Sequence, residues 1–306
     1  MLRSVMTYDF VIADVFSSTP FGGNQLAVFL DARGLSDRAM QSLAREINFA
    51  ESTFLLPPSK KEYARRVRIF TPGAEMPFAG HPTVGTAAVL VDTGLVPAPG
   101  GTATLILEEN VGPITVEVEK RGSGAAAHLW SRFSLERASE FLAKGTSNEQ
   151  MARALCLSSG DVLESWYATA GLAFCFARLA DSKAVDRAIL DRGVWAPPLS
   201  DGPSPNLFLF AEAAPQQLYA RMFAPAIGVD EDPATGSAAA ALAGTLAARD
   251  GREAGEFTWQ INQGVKLGRP SLIEASALKK GGKVSRIRVA GSTAIVGTGR
   301  ITTTLG

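Results

Sequence analysis

His81-Pro-Thr-Val-Gly-Thr-Ala-Ala88 and Asp232-Pro-Ala-Thr-Gly-Ser-Ala-Ala239 are two versions of one pattern, with Pro, Gly, a hydroxyl residue and two alanines in register. Upstream of each stands an Arg-x-Phe-x-Pro, Arg68 to Pro72 and Arg221 to Pro225, at nearly the same spacing. An internal echo of this kind marks a repeated architecture. Gly85 to Ala88 and Gly236 to Ala243 carry small residues all round, which suits helices packed closely on every side; a helix with one buried face would use larger residues there. The pattern predicts an α+β fold of two pseudo-symmetric domains, each a curved sheet wrapped around a central helix. The first spans 1–125 and the second 126–290, divided in the Gly- and Ala-rich run 121–128, with the C-terminal strand 291–306 able to join the first domain.

Working outward, the central helices are expected from about Pro82 to Val91 and from about Pro233 to Ala248. Ser36 reads as the N-cap of another helix, with Met40, Leu43, Ala44 and Ile47 following at helical spacing. Strands are expected near Asp9 to Phe16, Leu26 to Leu30, up to Leu56 after Asn48, and Val67 to Phe70. Later ones are expected at Leu207 to Phe210, Leu218 to Phe223, Phe257 to Gln260 and Ser271 to Ala275. Val284 to Val289 is expected to pair with Thr293 to Thr298 as a hairpin turning at Gly291-Ser292.

Composition narrows the function. The 306 residues hold 30 Lys+Arg against 30 Asp+Glu, and the densest basic run, Arg65, Arg66 and Arg68, reads as a solvated strand end, so no nucleic-acid partner is expected. With 46% hydrophobic and 20% charged residues the chain can bury a substantial core. The longest small apolar run, Ala238 to Ala248, falls short of the roughly 20 residues of a membrane span, and the first residues lack the apolar run of a signal peptide. A soluble, cytoplasmic protein without a membrane partner is expected, with Cys156 and Cys175 as buried thiols. Two histidines, His81 and His128, give no zinc-ligand spacing, so no metal is expected. The exposed edges of two sheets make a homodimer the expected assembly.

The residue before Pro in each echo is read as an N-cap, with Pro in the first helical position. Each helix then offers free N–H groups and a partial positive charge. If the two domains face each other, both starts point at one cleft suited to a small anionic substrate. Asp232 reads equally as a plain helix cap. His81 is a poor cap, and helix dipoles favour its neutral form, which suits a hydrogen-bond acceptor or proton relay. Thr86 and Ser237 either cap or bond a substrate. Glu51 lies in an apolar strand segment without an adjacent cation, where desolvation would raise its pKa toward that of a general acid/base; the competing reading is a strand-edge Glu reaching water.

Asn24-Gln-Leu-Ala-Val28 after Phe-Gly-Gly, Phe49-Ala-Glu-Ser-Thr-Phe54, Phe78-Ala-Gly-His-Pro-Thr-Val-Gly-Thr86, Glu231-Asp-Pro-Ala-Thr-Gly-Ser237 and Gln263-Gly-Val-Lys-Leu-Gly-Arg-Pro-Ser271 together resemble the PhzF-like isomerases of phenazine biosynthesis, from about Tyr8 onward. The resemblance implies a diaminopimelate epimerase-like fold and a catalytic carboxylate at Glu51. It also implies that His81, Asp232 and Ser237 surround the substrate while Gly80 and Gly236 offer backbone N–H groups. Epimerases of that fold use a cysteine at each central helix start; here those places hold Gly80-His81 and Gly236-Ser237, so two-thiol chemistry is not expected. The implied function is a cofactor-free proton shift on a small carboxylated, cyclic or amino-acid-like substrate. A non-thiol epimerase using Glu51 with Asp232 or His81, and a non-catalytic binding protein of the same fold, are the alternatives.

Overall fold

The computed structural model describes residues 6–124, 127–197 and 201–303. Its first strand, β1 (Met6–Val15), turns through a loop into β2 (Asn24–Phe29), which pairs antiparallel with it, Val15 opposite Asn24. Gly23 enters β2 with φ +64°, and a β-carbon there would collide with the Val15 carbonyl, so only glycine fits this turn. Ser36 caps α1 (Asp37–Ile47) as expected, its hydroxyl accepting the Ala39 N–H, and Asn48 ends the helix in the left-handed conformation. Met40, Leu43 and Ala44 lie on its buried face, in one apolar cluster with Phe29, Phe54 and Phe70.

The chain continues through β3 (Glu51–Leu56), β4 (Arg65–Phe70) and the short β5 (Glu75–Met76) into α2 (Gly80–Asp92), and then β6 (Thr102–Glu109), β7 (Gly112–Arg121) and β8 (His128–Leu135). β2 and β3 run parallel, as do β4 and β6, while the pairs β3 with β4, β6 with β7 and β7 with β8 are antiparallel. Buried along nearly its whole length, α2 touches β1, β2, β3, β6 and β7. Its small residues make this possible. Gly85 lies so close to the strands that a β-carbon would stand 2.5 Å from Val15 Cγ2 and 2.7 Å from Leu26 Cδ2.

β9 (Glu140–Lys144), α3 (Asn148–Ala154), β10 (Val162–Thr169), β11 (Ala173–Leu179), α4 (Ser182–Arg187), β12 (Leu207–Ala214), β13 (Gln217–Ala224) and β14 (Val229–Asp232) follow. They lead into α5 (Gly236–Arg249), which is buried over most of its length and touches β9, β10, β11, β15 (Gly255–Gln263) and β16 (Ser271–Lys280). The last strand is β17 (Lys283–Thr303). The fold is mixed α/β and dominated by sheet. No helix among the described residues is long and apolar enough to cross a membrane.

Two compact units divide the chain: Met1–Ser134 with Ala290–Gly306, and Leu135–Val289. Residues 125 and 126, where the sequence suggested the division, lie outside the described ones. The strands on either side of the run read as a linker or exposed turn, β7 and β8, pair antiparallel with Arg121 opposite His128. The hairpin expected at Gly291-Ser292 does not exist. β17 runs unbroken through those residues, because Thr293 to Thr303 pair antiparallel with Val15 to Met6 of β1 and the Ser17 N–H donates to the Ser292 carbonyl. Ladder hydrogen bonds outweigh the turn preference of Gly-Ser. Nor is Arg68 part of a solvated strand end: it is largely buried and gripped by Glu75, with guanidinium-to-carboxylate distances of 2.8 and 2.7 Å.

The close approach at Gly85 gives a test. Alanine normally favours a helix by about 1 kcal/mol over glycine. At position 85 the new methyl would overpack two fully buried side chains, at a cost of about 1–3 kcal/mol. Gly85→Ala should therefore lower the urea midpoint of unfolding, and an unchanged or raised midpoint would show that α2 is free to shift away from β1 and β2.

Candidate active site

Strand alternation decides which residues of β3 meet α2. Phe54 points into the cluster beneath α1, so Glu51 and Thr53 take the opposite side. There Thr53 and Thr86, both fully buried, share a 3.0 Å hydrogen bond. Glu51 Oε2 stands 3.4 Å from His81 Nε2, with the His81 side chain 5% exposed and that of Glu51 17%. This separation is within ion-pair range but outside hydrogen-bond geometry. The other ring nitrogen, Nδ1, lies 3.3 Å from the side-chain amide nitrogen of Asn24. Burial drives the His81 imidazole down to about 3, only partly offset by a backbone hydrogen bond to Gln25, so the ring is neutral at physiological pH.

The helix starts differ from expectation. α2 is capped by the backbone of Ala79, with Gly80, His81 and Pro82 as its first three residues, so His81 is the second helical residue and no side chain caps this end. α5 begins at Gly236 with Thr235 as its N-cap, and Asp232 belongs to the end of β14. Pro233 does not open the helix because the residues after Asp232 form a turn held by side chains. The Asp232 carboxylate accepts the Thr235 hydroxyl at 2.5 Å, and the Asp232 carbonyl accepts the Gln263 amide at 2.8 Å. Gln263, fully buried, also accepts the Thr235 N–H through its carbonyl oxygen. Ser237 is the second residue of α5 and buried.

In the first unit, then, the fold brings Glu51, Gly80 and His81 together with Asn24. In the second it brings Asp232, Gly236 and Ser237 together with Thr235 and Gln263. Thr86 is not among the first group, since its hydroxyl is spent on Thr53 in the packing of α2 against β3. Asn24 and Gln263 were missed as site residues, although both open sequence motifs that resemble the isomerase family. Asn24 is placed by the turn at Gly23 and by Asp14, whose carboxylate accepts the Phe21 N–H at 2.6 Å in the preceding loop.

Cys175 is buried and its thiol is pushed up to about 12 by desolvation, which makes it a poor nucleophile. Cys156 is exposed, contrary to the expectation of two buried thiols, because it follows the end of α3 in a left-handed backbone conformation. Neither lies at the start of α2 or α5. Among the described residues no group of three or more His, Cys, Asp or Glu side chains is arranged to hold a metal ion.

Comparison with known proteins bears on this arrangement. The family model described as phenazine biosynthesis-like protein matches residues 13–299. A trans-2,3-dihydro-3-hydroxyanthranilate isomerase from Pseudomonas fluorescens is 37% identical over 96% of this chain and 99% of its own. Among solved structures, a phenazine biosynthesis protein of the PhzF family from Bacillus anthracis superposes with a TM-score of 0.83 at 24% identity, covering 97% of this chain and 99% of its own. A probable proline racemase from Agrobacterium radiobacter superposes at 0.68 with 13% identity, covering 96% and 92%. These two share the fold. Spanned almost end to end by the family model and by an isomerase of matching length, the chain belongs to the phenazine biosynthesis-like (PhzF) family and is an isomerase with an epimerase-like fold.

Proposed function

We propose that this protein isomerises a small carboxylated substrate, of the cyclic dihydro-amino-acid kind named for its Pseudomonas fluorescens relative, by a proton shift in which Glu51 is the general acid/base. The observation that carries the proposal is the approach of Glu51 to neutral His81 at the start of a buried helix that no side chain caps. A carboxylate so placed can take a proton from a carbon activated by conjugation. His81 is uncharged and carries an unoccupied nitrogen on the Glu51 side or a proton there, according to tautomer, and so can relay or steady that proton. Glu51, its carboxyl exchanging with solvent, delivers a proton to another carbon of the conjugated system, so the product is an isomer and the scheme needs no cofactor. Backbone N–H groups of Gly80 and His81 are positioned to meet the substrate carboxylate and the charge that develops. In the second unit we assign the same anion-binding role to Gly236 and Ser237. There Asp232 orders the turn that starts the helix, and we assign it an acid/base role.

We further infer that the two units repeat one plan, a sheet wrapped around a central helix. Supporting this, Arg68 grips Glu75 and Arg221 grips Glu231 in the same two-pronged manner, at 2.7 to 2.8 Å. Each guanidinium also stacks on the phenylalanine two residues later, Phe70 at 5.1 Å and Phe223 at 4.8 Å. In each case the gripped acid lies on the short strand that leads into the central helix.

Glu51→Gln keeps the shape of the side chain and removes its basicity. Turnover of trans-2,3-dihydro-3-hydroxyanthranilate in deuterated water should fall by at least about a hundredfold, with loss of deuterium incorporation at the product carbon. Retained turnover and label would remove Glu51 from the mechanism.

His81 supplies a second test. Its folded-state value of about 3 lies below the unfolded value of 6.5, so between those limits the unfolded chain binds more protons. Stability from this group is therefore complete above pH 6.5 and lost as the pH falls, by about 1.4 kcal/mol per pH unit. Urea titrations of the wild type and of His81→Gln at pH 7 and pH 5 isolate this group from others that titrate in the same range: on going to pH 5 the wild type should fall by about 2 kcal/mol relative to the variant. An equal loss in the variant would mean that the ring is solvated and free to charge.

A further inference from the structure

Glu109, the last residue of β6, is 5% exposed and takes no part in the chemistry described above. One carboxyl oxygen, Oε1, lies 2.7 Å from the hydroxyl of Thr83, in the first turns of α2; the other, Oε2, is buried without a hydrogen-bond partner. The same Thr83 hydroxyl lies 2.8 Å from the carbonyl of Ala79, the residue that caps α2. A hydroxyl has one proton to donate, and a carbonyl can only accept. For both contacts to be hydrogen bonds at once, Glu109 must bring a proton of its own.

Among the described residues no cation is placed to hold a charge there. On β4, Arg68 is committed to Glu75 and Asp37, and Arg65 to the carbonyl of Ala64. Glu108 faces the other way and accepts the Ser59 N–H. On β7, Glu117 is paired with Arg132 of β8 and Glu119 with Arg121. From α2 the titratable groups are His81, neutral, and Asp92 at the far end. Burial accordingly pushes the Glu109 carboxyl up to about 8, with the Thr83 hydrogen bond acting weakly in the opposite sense.

We propose that Glu109 is a positioning residue for the start of α2: as a neutral acid it donates to Thr83, Thr83 donates to Ala79, and the cap that presents Gly80 and His81 is held in place. Ionisation changes two things together. Thr83 must turn its proton to the carboxylate and release the Ala79 carbonyl, and a negative charge arises beside the helix end that meets an anionic substrate. The role assigned to Glu109 rests on the reading of the α2 start as the substrate carboxylate site; the protonation state does not, and can be measured without substrate.

Because the chain has two histidines, a His128→Gln background leaves His81 as the sole imidazole signal in a two-dimensional nitrogen–proton spectrum. Between pH 6 and 10 the His81 resonances should move through an inflection near pH 8, and the inflection should vanish in Glu109→Gln. A flat curve in the parent, or the same inflection in the variant, overturns the proposal. Should Glu109→Gln not fold, Thr83→Val removes the partner that favours the charged form and should shift the inflection to higher pH; an unmoved curve counts against the proposal equally. Calorimetric binding of anthranilate, whose carboxylate is ionised throughout this range, should weaken about tenfold across the inflection in the parent and stay level in Glu109→Gln. A moving His81 signal with level anthranilate binding would retain the protonated acid and overturn its positioning role. Loss of the Glu51 assignment in the deuterium experiment would leave the His81 curve untouched, so the two readings fail separately.

Discussion

A helix that is buried from its first residue cannot turn to water for its leading N–H groups, and in α2 no side chain answers them. Much of the first unit follows from that constraint. Residues large enough to fill a core would hold the strands away, so the helix uses Gly85, Thr86, Ala87 and Ala88 and lets Val15 and Leu26 reach its backbone. Close contact on all sides fixes where the helix begins. Of the groups clustered at that beginning, Glu51 and His81 are therefore placed by packing, while Asn24 is placed by the loop that ends at Gly23. Backbone polarity left without a protein partner is useful to an enzyme that must hold an anion.

Two short strands, β5 and β14, deliver the chain to the two central helices, and each is fastened by an arginine on its neighbour. A bidentate guanidinium–carboxylate pair that is largely removed from water, with an aromatic ring beneath it, resists sliding in a way that two or three ladder hydrogen bonds do not. For Arg68 and Arg221 the side chains are 13% and 9% exposed, so lysine would restore the charge without the two-pronged grip. The repeated Arg-x-Phe-x-Pro in the sequence is thus a fastening for the approach to the helix, and its partner acids sit seven and ten residues downstream.

Local signals were legible where local bonds decide. Ser36 announced α1 because a cap is made within four residues. Alternation from Phe49 onward separated Glu51 from Phe54, and the structure assigns the two sides to α2 and α1. The beginnings of the central helices were misread because Pro82 and Pro233 each read as the first helical residue, whereas the true limits depend on Ala79 and on a turn that Gln263 secures from about thirty residues away. Gly291-Ser292 carries the marks of a turn, and pairing with β1, nearly three hundred residues earlier, helps keep the chain extended through it. Glu109 was invisible for the same reason: nothing near it in sequence tells that Thr83 waits at its side with a single proton already engaged.

The membership of β17 has a consequence for the order in which the molecule is made. The second unit is one uninterrupted stretch, Leu135–Val289, and is fully synthesised before the final segment of the first unit exists. Until Thr293 to Thr303 leave the ribosome, β1 has a partner on the β2 side only, and its other edge is open to any strand that passes. The first unit to start is accordingly the last to close, and the terminal strand acts as a latch whose arrival ends the period in which nascent chains can pair with one another.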